Sequence, residues 1–217
     1  MKARLDLIVR KLGIQPYESV WQDMKDLTQS RGDLSPDEYW VLEHPSVFTL
    51  GLSKQPSMVI GNEDIPVIKT DRGGQITYHG PGQIIGYFLW DIRRLGLDVH
   101  QFVRLVEQCM LDTLGYFDIV ASRWDGNPGV YVKGKKIGSL GIRLKHGCSY
   151  HGLSLNVEMD TEPFRMIDPC GITGLQVTQI ADFVQDVSVA EVEETLIRTT
   201  QELYATQLDR LAEKHEP

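Results

Sequence analysis

Residues 129–157 read GVYVKGKKIGSLGIRLKHGCSYHGLSLNV. Three runs with strand character, 129–132, 135–144 and 148–157, are separated only by Lys133-Gly134 and Lys145-His146-Gly147. Connections that short cannot carry a crossover helix, so successive runs pair antiparallel and form a meander. Upstream, residues 99–114 place Val99, Phe102, Val103, Val106 and Met110 on one helical face. Short strand-like runs precede that helix at 39–42, 47–50, 58–60, 67–69, 75–78 and 84–91. Further towards the N-terminus, Pro16 opens a helical pattern of Tyr17, Val20, Trp21, Met24 and Leu27, and residues 4–10 alternate as a strand. Downstream, a loop around 163–174 leads to a last helix. There Ser188 to Glu191 forms a capping box, followed by Val192, Leu196, Leu203 and Leu211. Many strands, few helices and no strict alternation predict an α+β fold, a mixed β-sheet with flanking helices. No internal repeat or Ser/Gly linker divides the 217 residues, so one domain over 1–217 is expected.

Composition removes several functional classes. At 41% hydrophobic and 24% charged residues, the chain is neither fibrous nor disordered. Its three cysteines include no CxxC pair, which argues against a disulfide scaffold and a cysteine-rich zinc site, so no metal is expected. No run approaches the ~18 apolar residues of a membrane span, and the N-terminus lacks a signal-like core; a soluble protein of the reducing cytoplasm is expected. The net charge is −8, with residues 1–157 near balance and residues 158–217 holding 13 acidic against 4 basic side chains. Such a chain is poorly suited to gripping nucleic acid. One stretch, 126–157, has no acidic residue and carries Lys133, Lys135, Lys136, Arg143 and Lys145.

The candidates for chemistry lie in four places. Residues 72–83, RGGQITYHGPGQ, are the densest glycine cluster, where backbone can approach a ligand beside Arg72, Tyr78 and His79. The same residues also suit a plain glycine-rich connection in which His79 is satisfied by neighbours. A strand pattern, not a helix, follows Gly80-Pro81-Gly82, so this is no phosphate loop. Cys170, in Asp168-Pro169-Cys170-Gly171, sits where Pro and Gly break regular structure and leave a thiol accessible, whereas Cys109 reads as helix core and Cys148 as a strand start. Strict alternation along 135–144 puts Lys136 with Gly138, Leu140, Ile142 and Leu144 on the more apolar face, and Lys135 with Arg143 on the other. Burial there would lower an ammonium from about 10.4 and create a base; a strand-end lysine that snorkels to solvent is the alternative. His151 and Asn156 fall on opposite faces and form no dyad. GxSxG, HExxH and GxxxxGK[ST] are all absent.

Taken together, RGGQITYHGPGQ at 72–83, KIGSLG at 136–141, HGLSLN at 151–156 and Pro169-Cys170-Gly171 closely resemble the lipoyl(octanoyl) transferases, in order and spacing. Glu43-His44-Pro45 and Thr49-Leu50-Gly51 fit as well. The resemblance implies the α+β fold of biotin and lipoate protein ligases. It also implies transfer of an octanoyl group from acyl carrier protein to a lysine of lipoyl domains, those of 2-oxoacid dehydrogenases and the glycine-cleavage H protein. By the same resemblance, Cys170 is the acyl-thioester nucleophile and Lys136 its partner. Arg72, Gly73, Gly74, Gln75, Ile76, Thr77, Tyr78 and His79 would line the acyl site with Ser139, Leu140, Gly141, Gly152, Leu153 and Ser154. Thioester exchange needs no ATP, so no cofactor is expected. An ATP-dependent lipoate–protein ligase would share fold and acceptor but need no cysteine. A non-catalytic acyl-binding module would dispense with Cys170 and Lys136.

Overall fold

The computed structural model describes residues 6–53, 64–167 and 175–213. The expected meander is present as β8 (Asn127–Val132), β9 (Lys135–Lys145) and β10 (Cys148–Asn156), paired antiparallel in sequence order. Its turns are tight because Lys133, Gly134, His146 and Gly147 all take positive φ. On one side the meander is extended by the short β7 (Ser122–Trp124). On the other, β10 pairs with β6 (Gln83–Leu89), β6 with β2 (Glu38–Glu43), and β2, in parallel, with β1 (Ile8–Ile14). The resulting sheet has seven strands in the order β1-β2-β6-β10-β9-β8-β7. A second sheet holds three strands, with β3 (Val47–Leu50) between β4 (Val67–Lys69) and β5 (Ile76–His79). The sheets are mixed and the helices flank them, as an α+β reading requires.

Both faces of the large sheet are covered, which explains why every residue of β6 is buried. Helices α2 (Val99–Tyr116) and α3 (Val189–Glu213) pack on one face against Tyr39, Val41, Ile84, Phe88, Leu153 and Leu155. Helix α1 (Tyr17–Ser30) covers part of the other, against Trp40, Leu42, Ile85, Tyr87 and Leu89. Asp98 caps α2 in a reciprocal capping box with Gln101, and Ser188 accepts from the Glu191 amide at the start of α3.

Several local expectations shift. The first strand begins at Ile8 and runs to Ile14, because its parallel partner β2 carries the pairing past Arg10 through a bulge at Gly13. Residues 1–5 and the strand expected at 58–60 lie outside the described residues. Val99 is 49% exposed, as is the whole first turn of α2 at residues 98–101, and the buried face begins at Phe102. The three-residue β7 has too few positions to show a period.

The largest correction concerns β9. Val130 pairs with Gly138 but Tyr131 pairs with Lys136, so Ile137 is an extra residue, a β-bulge. Ile137 lies in the helix-covered core, and a Cβ on Gly138 would stand 2.5 Å from Met110 Sδ of α2. Two successive residues thus address the same face, and the alternation inverts at the bulge. Lys136 is thrown onto the opposite face, with Ser139, Gly141 and Arg143 rather than with Leu140 and Ile142. Lys135 and Arg143 do not share a face opposite Lys136, and they stand at the two ends of β9, roughly 26 Å apart at ~3.3 Å per residue.

Candidate active site

Beyond the reach of α1 the second face of the sheet is lined by small side chains. Ser139 pairs with Ser154, and Gly141 with Gly152, on neighbouring strands. The space above them is roofed by the glycine-rich segment before β5: the Gly73 amide donates to Ile142 O at 3.1 Å, and a Cβ on Gly141 would come within 2.9 Å of Gly73 O. Only glycine at 141 lets the roof approach this closely. The cavity between is walled by Arg72, Gly74, Gln75, Ile76, Thr77, His79, Lys136, Ser139, Leu140, Gly141, Gly152, Leu153 and Ser154. Gly73 and Tyr78 do not line it; Tyr78 packs behind it on Phe48 and Phe164, its hydroxyl 2.9 Å from Ser46 Oγ. Tyr17, Ile85, Tyr87 and His151 complete the wall.

Lys136 is 3% exposed. Its Nζ donates to Pro128 O at 3.1 Å and stands 5.4 Å from the centre of the Tyr131 ring. Room for this end group comes from Gly129, at φ +136°, where a Cβ would lie 2.8 Å from Lys136 Cε and 3.1 Å from Nζ. The Gly129 amide in turn donates to buried Glu107 of α2, which also binds Arg123. The Lys136 amide donates to Gln176 O at 2.8 Å, and its carbonyl accepts from the Thr178 amide at 2.9 Å. Cys170 itself lies outside the described residues. The chain just before it is anchored by buried Ile167, in one cluster with Ile76 and Tyr78.

The roof is held by hydrogen bonds. Arg72 Nε and Nη2 donate to Thr49 Oγ1 at 3.0 and 2.9 Å, and Nη2 also donates to Thr49 O. His79 Nδ1–H donates to Gln83 Oε1 at 2.7 Å, Gln83 Nε2 to Asn156 Oδ1, and Asn156 Nδ2 to Thr178 O. His79, Gln83 and Asn156 thereby tie two of the sequence motifs, 72–83 and 151–156, to the segment that flanks Lys136. Asn156 and His151 have separate partners and form no dyad, but a positive φ at His151 turns its ring to the cavity side and undoes the expectation that the two face opposite ways.

Three buried histidines stand at the cavity: His79 and His151 in its wall, and His44 behind it against Tyr17 and His79. His44 Nδ1–H donates to Gln15 O, so its Nε2 accepts from the Tyr87 hydroxyl at 2.8 Å. Burial pushes His44 down to about 4, and His79 down to about 3 with help from the nearby His44. His151 is also lowered, by burial above all, despite the raising influence of Asp71. The Asp71 carboxylate accepts from His151 Nε2 at 3.0 Å, from Trp21 Nε1 at 2.8 Å and from the Tyr150 hydroxyl. Partial burial alone would raise Asp71, but these donors hold it well below the usual carboxylate range. The other two thiols are unsuited to nucleophilic work: burial pushes Cys109 up to about 12 and raises Cys148 too.

Sequence reasoning missed Tyr17, Tyr87, Asp71 and His151. Tyr17 read as part of a helical pattern, Tyr87 fell unnamed within the strand run 84–91, and Asp71 stands one residue outside the quoted motif. His151 should share a face with Leu153 and Leu155, and the β9–β10 register runs unbroken past it. Its φ of +60° turns the ring to the cavity side instead, at a cost of ~1–3 kcal/mol for a non-glycine residue. The other non-glycine residues with positive φ, among those described, lie in turns or loops.

Residues 16–201 match the family model of the lipoyl protein ligase A/B catalytic domain. An octanoyltransferase of Pseudomonas fluorescens is 49% identical over 183 residues, 84% of this chain and 85% of that protein. One of Xanthomonas campestris is 53% identical over 174 residues, 80% and 75% of the two chains. Among solved structures, a lipoate-protein ligase A bound with ATP superposes with a TM-score of 0.72 at 16% identity, covering 93% of this chain and 85% of that one. The biotin protein ligase of Aquifex aeolicus superposes with 0.53 at 14% identity, covering 93% and 69%. The structural likenesses establish the shared fold; the sequence likenesses go further, and the chain belongs to the lipoyl protein ligase A/B catalytic-domain family, among its octanoyltransferases, which are acyltransferases.

Proposed function

We propose that this chain moves an octanoyl group from octanoyl-acyl carrier protein to a lysine of lipoyl domains by way of a thioester on Cys170, with Lys136 as the base. The observation that carries this reading is the position of Lys136. A buried lysine lines the cavity, and the chain that follows Cys170 is hydrogen-bonded to both sides of its backbone, at Gln176 and Thr178. Six residues from Cys170 to Gln176 span at most ~20 Å, and three from Ile167 to Cys170 about 10 Å, so the thiol is within reach of the cavity from either anchor. Burial of Cys109 and Cys148 leaves Cys170 as the thiol suited to attack.

The chemistry balances without a cofactor. Lys136 takes the thiol proton, the Cys170 thiolate attacks the carrier's thioester carbonyl, and the carrier thiol leaves with that proton. One thioester replaces another, so the step is close to isoenergetic. In the second step the acceptor amine forms a C–N bond as the C–S bond to Cys170 breaks, and thioester to amide runs downhill. Acceptor lipoyl domains include those of 2-oxoacid dehydrogenases and the glycine-cleavage H protein, in a cytoplasmic setting. The test is incubation of octanoyl-acyl carrier protein with apo-lipoyl domain in the absence of ATP. Octanoylation of the domain, with a transient octanoyl adduct on the enzyme, is expected. Transfer only with free octanoate and ATP would mean a ligase, and binding without transfer would mean an acyl-binding module.

A further inference from the structure

His151 carries more constraint than a wall residue needs. Its side chain is 1% exposed, lines the cavity, and reaches that side only through a left-handed backbone conformation inside a strand. Nε2 lies 3.0 Å from Asp71 Oδ1, and a carboxylate accepts only, so Nε2 carries the hydrogen and Nδ1 the lone pair. Among the described residues Nδ1 has no hydrogen-bond partner. Asp71 is itself fixed from two further directions, by Trp21 of α1 and Tyr150 of β10, so the tautomer and ring plane are both set. A buried imidazole nitrogen with an unpartnered lone pair, backed by a carboxylate and carried by a residue of the cavity wall, can take a proton from a group seated against it. The reaction brings such a donor: an acceptor lysine arrives as an ammonium and cannot attack until it loses a proton. Its charged form is disfavoured here, beside the buried Arg72 guanidinium.

We propose that His151 is the base for the acceptor half-reaction, with Asp71 as its positioning residue, while Lys136 serves the Cys170 thiol. This rests on the thioester reading above and assigns a residue to its second step. The ammonium N–H bond breaks, its electron pair stays on nitrogen, and the proton passes to Nδ1. As the C–N bond forms and the C–S bond breaks, the second N–H proton goes to the Cys170–Lys136 pair. The imidazolium then returns its proton to solvent.

The test separates the two half-reactions. Asparagine tolerates positive φ better than other non-glycine residues, so His151→Asn keeps the backbone while removing the base. Enzyme acylated by octanoyl-acyl carrier protein is mixed either with apo-lipoyl domain or with hydroxylamine, a small nucleophile already neutral at pH 7. His151→Asn is expected to slow transfer to the lipoyl domain about 100-fold or more, as loss of a general base does, and to leave deacylation by hydroxylamine within about threefold of the native rate. Asp71→Asn, tested the same way, is expected to slow the lysine acceptor about tenfold, again sparing hydroxylamine. Equal slowing of both nucleophiles would make His151 structural, and normal transfer to the lipoyl domain would remove it from the reaction; either overturns the inference. Failure of the native enzyme to acquire an octanoyl adduct would instead overturn the thioester reading on which it stands.

Discussion

The two faces of the seven-stranded sheet are made by the same strands and behave as different materials. Under α2 and α3, side chains such as Phe88, Trp90, Phe102, Leu155 and Leu196 are at most 1% exposed, and their chemistry is interchangeable within limits of volume. Burying each contributes about 1.5–3 kcal/mol. On the other face, beyond α1, the same strands present serines and glycines, and the buried groups around them are His44, His79, His151, Arg72 and Lys136. Those polar groups cost free energy to bury and are retained by hydrogen bonds, each with a specific partner. The first face makes the protein stable, whereas the second spends part of that stability on arrangement. The difference teaches where to expect losses of stability and where losses of activity.

The largest contrast is between two cysteines. Cys170→Ser is expected to abolish octanoyl transfer and the enzyme-bound octanoyl adduct seen by mass spectrometry. Cys109→Ser, on the helix-covered face, should keep both and lower stability by about 1–3 kcal/mol in denaturant unfolding. An adduct surviving on Cys170→Ser would sink the assignment.

Next come two adjacent lysines. Lys136→Arg should lower kcat by about 100-fold or more, because a guanidinium does not give up its proton at working pH. Exposed Lys135→Arg should stay within about twofold of native. Equal damage from both would mean that the burial of Lys136 and the exposure of Lys135 do not separate their roles.

Gly129→Ala probes the same site indirectly. The new methyl would meet Lys136 Cε at 2.8 Å and Gly138 O at 2.7 Å, at a φ that L-residues rarely adopt. A fall in kcat of about tenfold, with KM little changed, is expected from displacement of the ammonium. Unaltered kinetics would show that Lys136 needs no such room.

The smallest effect is on stability against pH. His44 and His79 are buried neutral, with folded values of about 4 and about 3 against an ordinary value of about 6.5. Between these limits the unfolded chain binds more protons, so stability is full above about 6.5 and is lost as pH falls towards 4 and then 3. The melting temperature at pH 4.5 should lie about 5 °C or more below that at pH 7.5. A flat profile would mean that the polar face carries no titration penalty.

Legibility in the sequence follows the same division. The meander, α1, α2 and α3 follow from tight turns, capping residues and hydrophobic period, all of which are local. Of the residues expected at the acyl site in 72–79, 139–141 and 152–154, all line one cavity except Gly73 and Tyr78, and Lys136 lines it with them. What local reasoning could not supply is concentrated at two residues. Ile137 breaks the period of β9 because its ladder with β8 carries one residue too many, and His151 leaves the period of β10 through its φ. Neither departure has a signature in the side chains themselves.

By itself, then, the amino-acid sequence determined the α+β class, the order of the elements and the membership of the motif set. These rest on short-range properties: turn chemistry, periodicity and residue type. Only the tertiary structure decided which way Lys136 and His151 face, that Asp71 holds the imidazole, and that Gly129 makes room for the ammonium. The physical reason is that a side chain's face depends on strand register and backbone dihedrals, and these are set by partners far away in the chain.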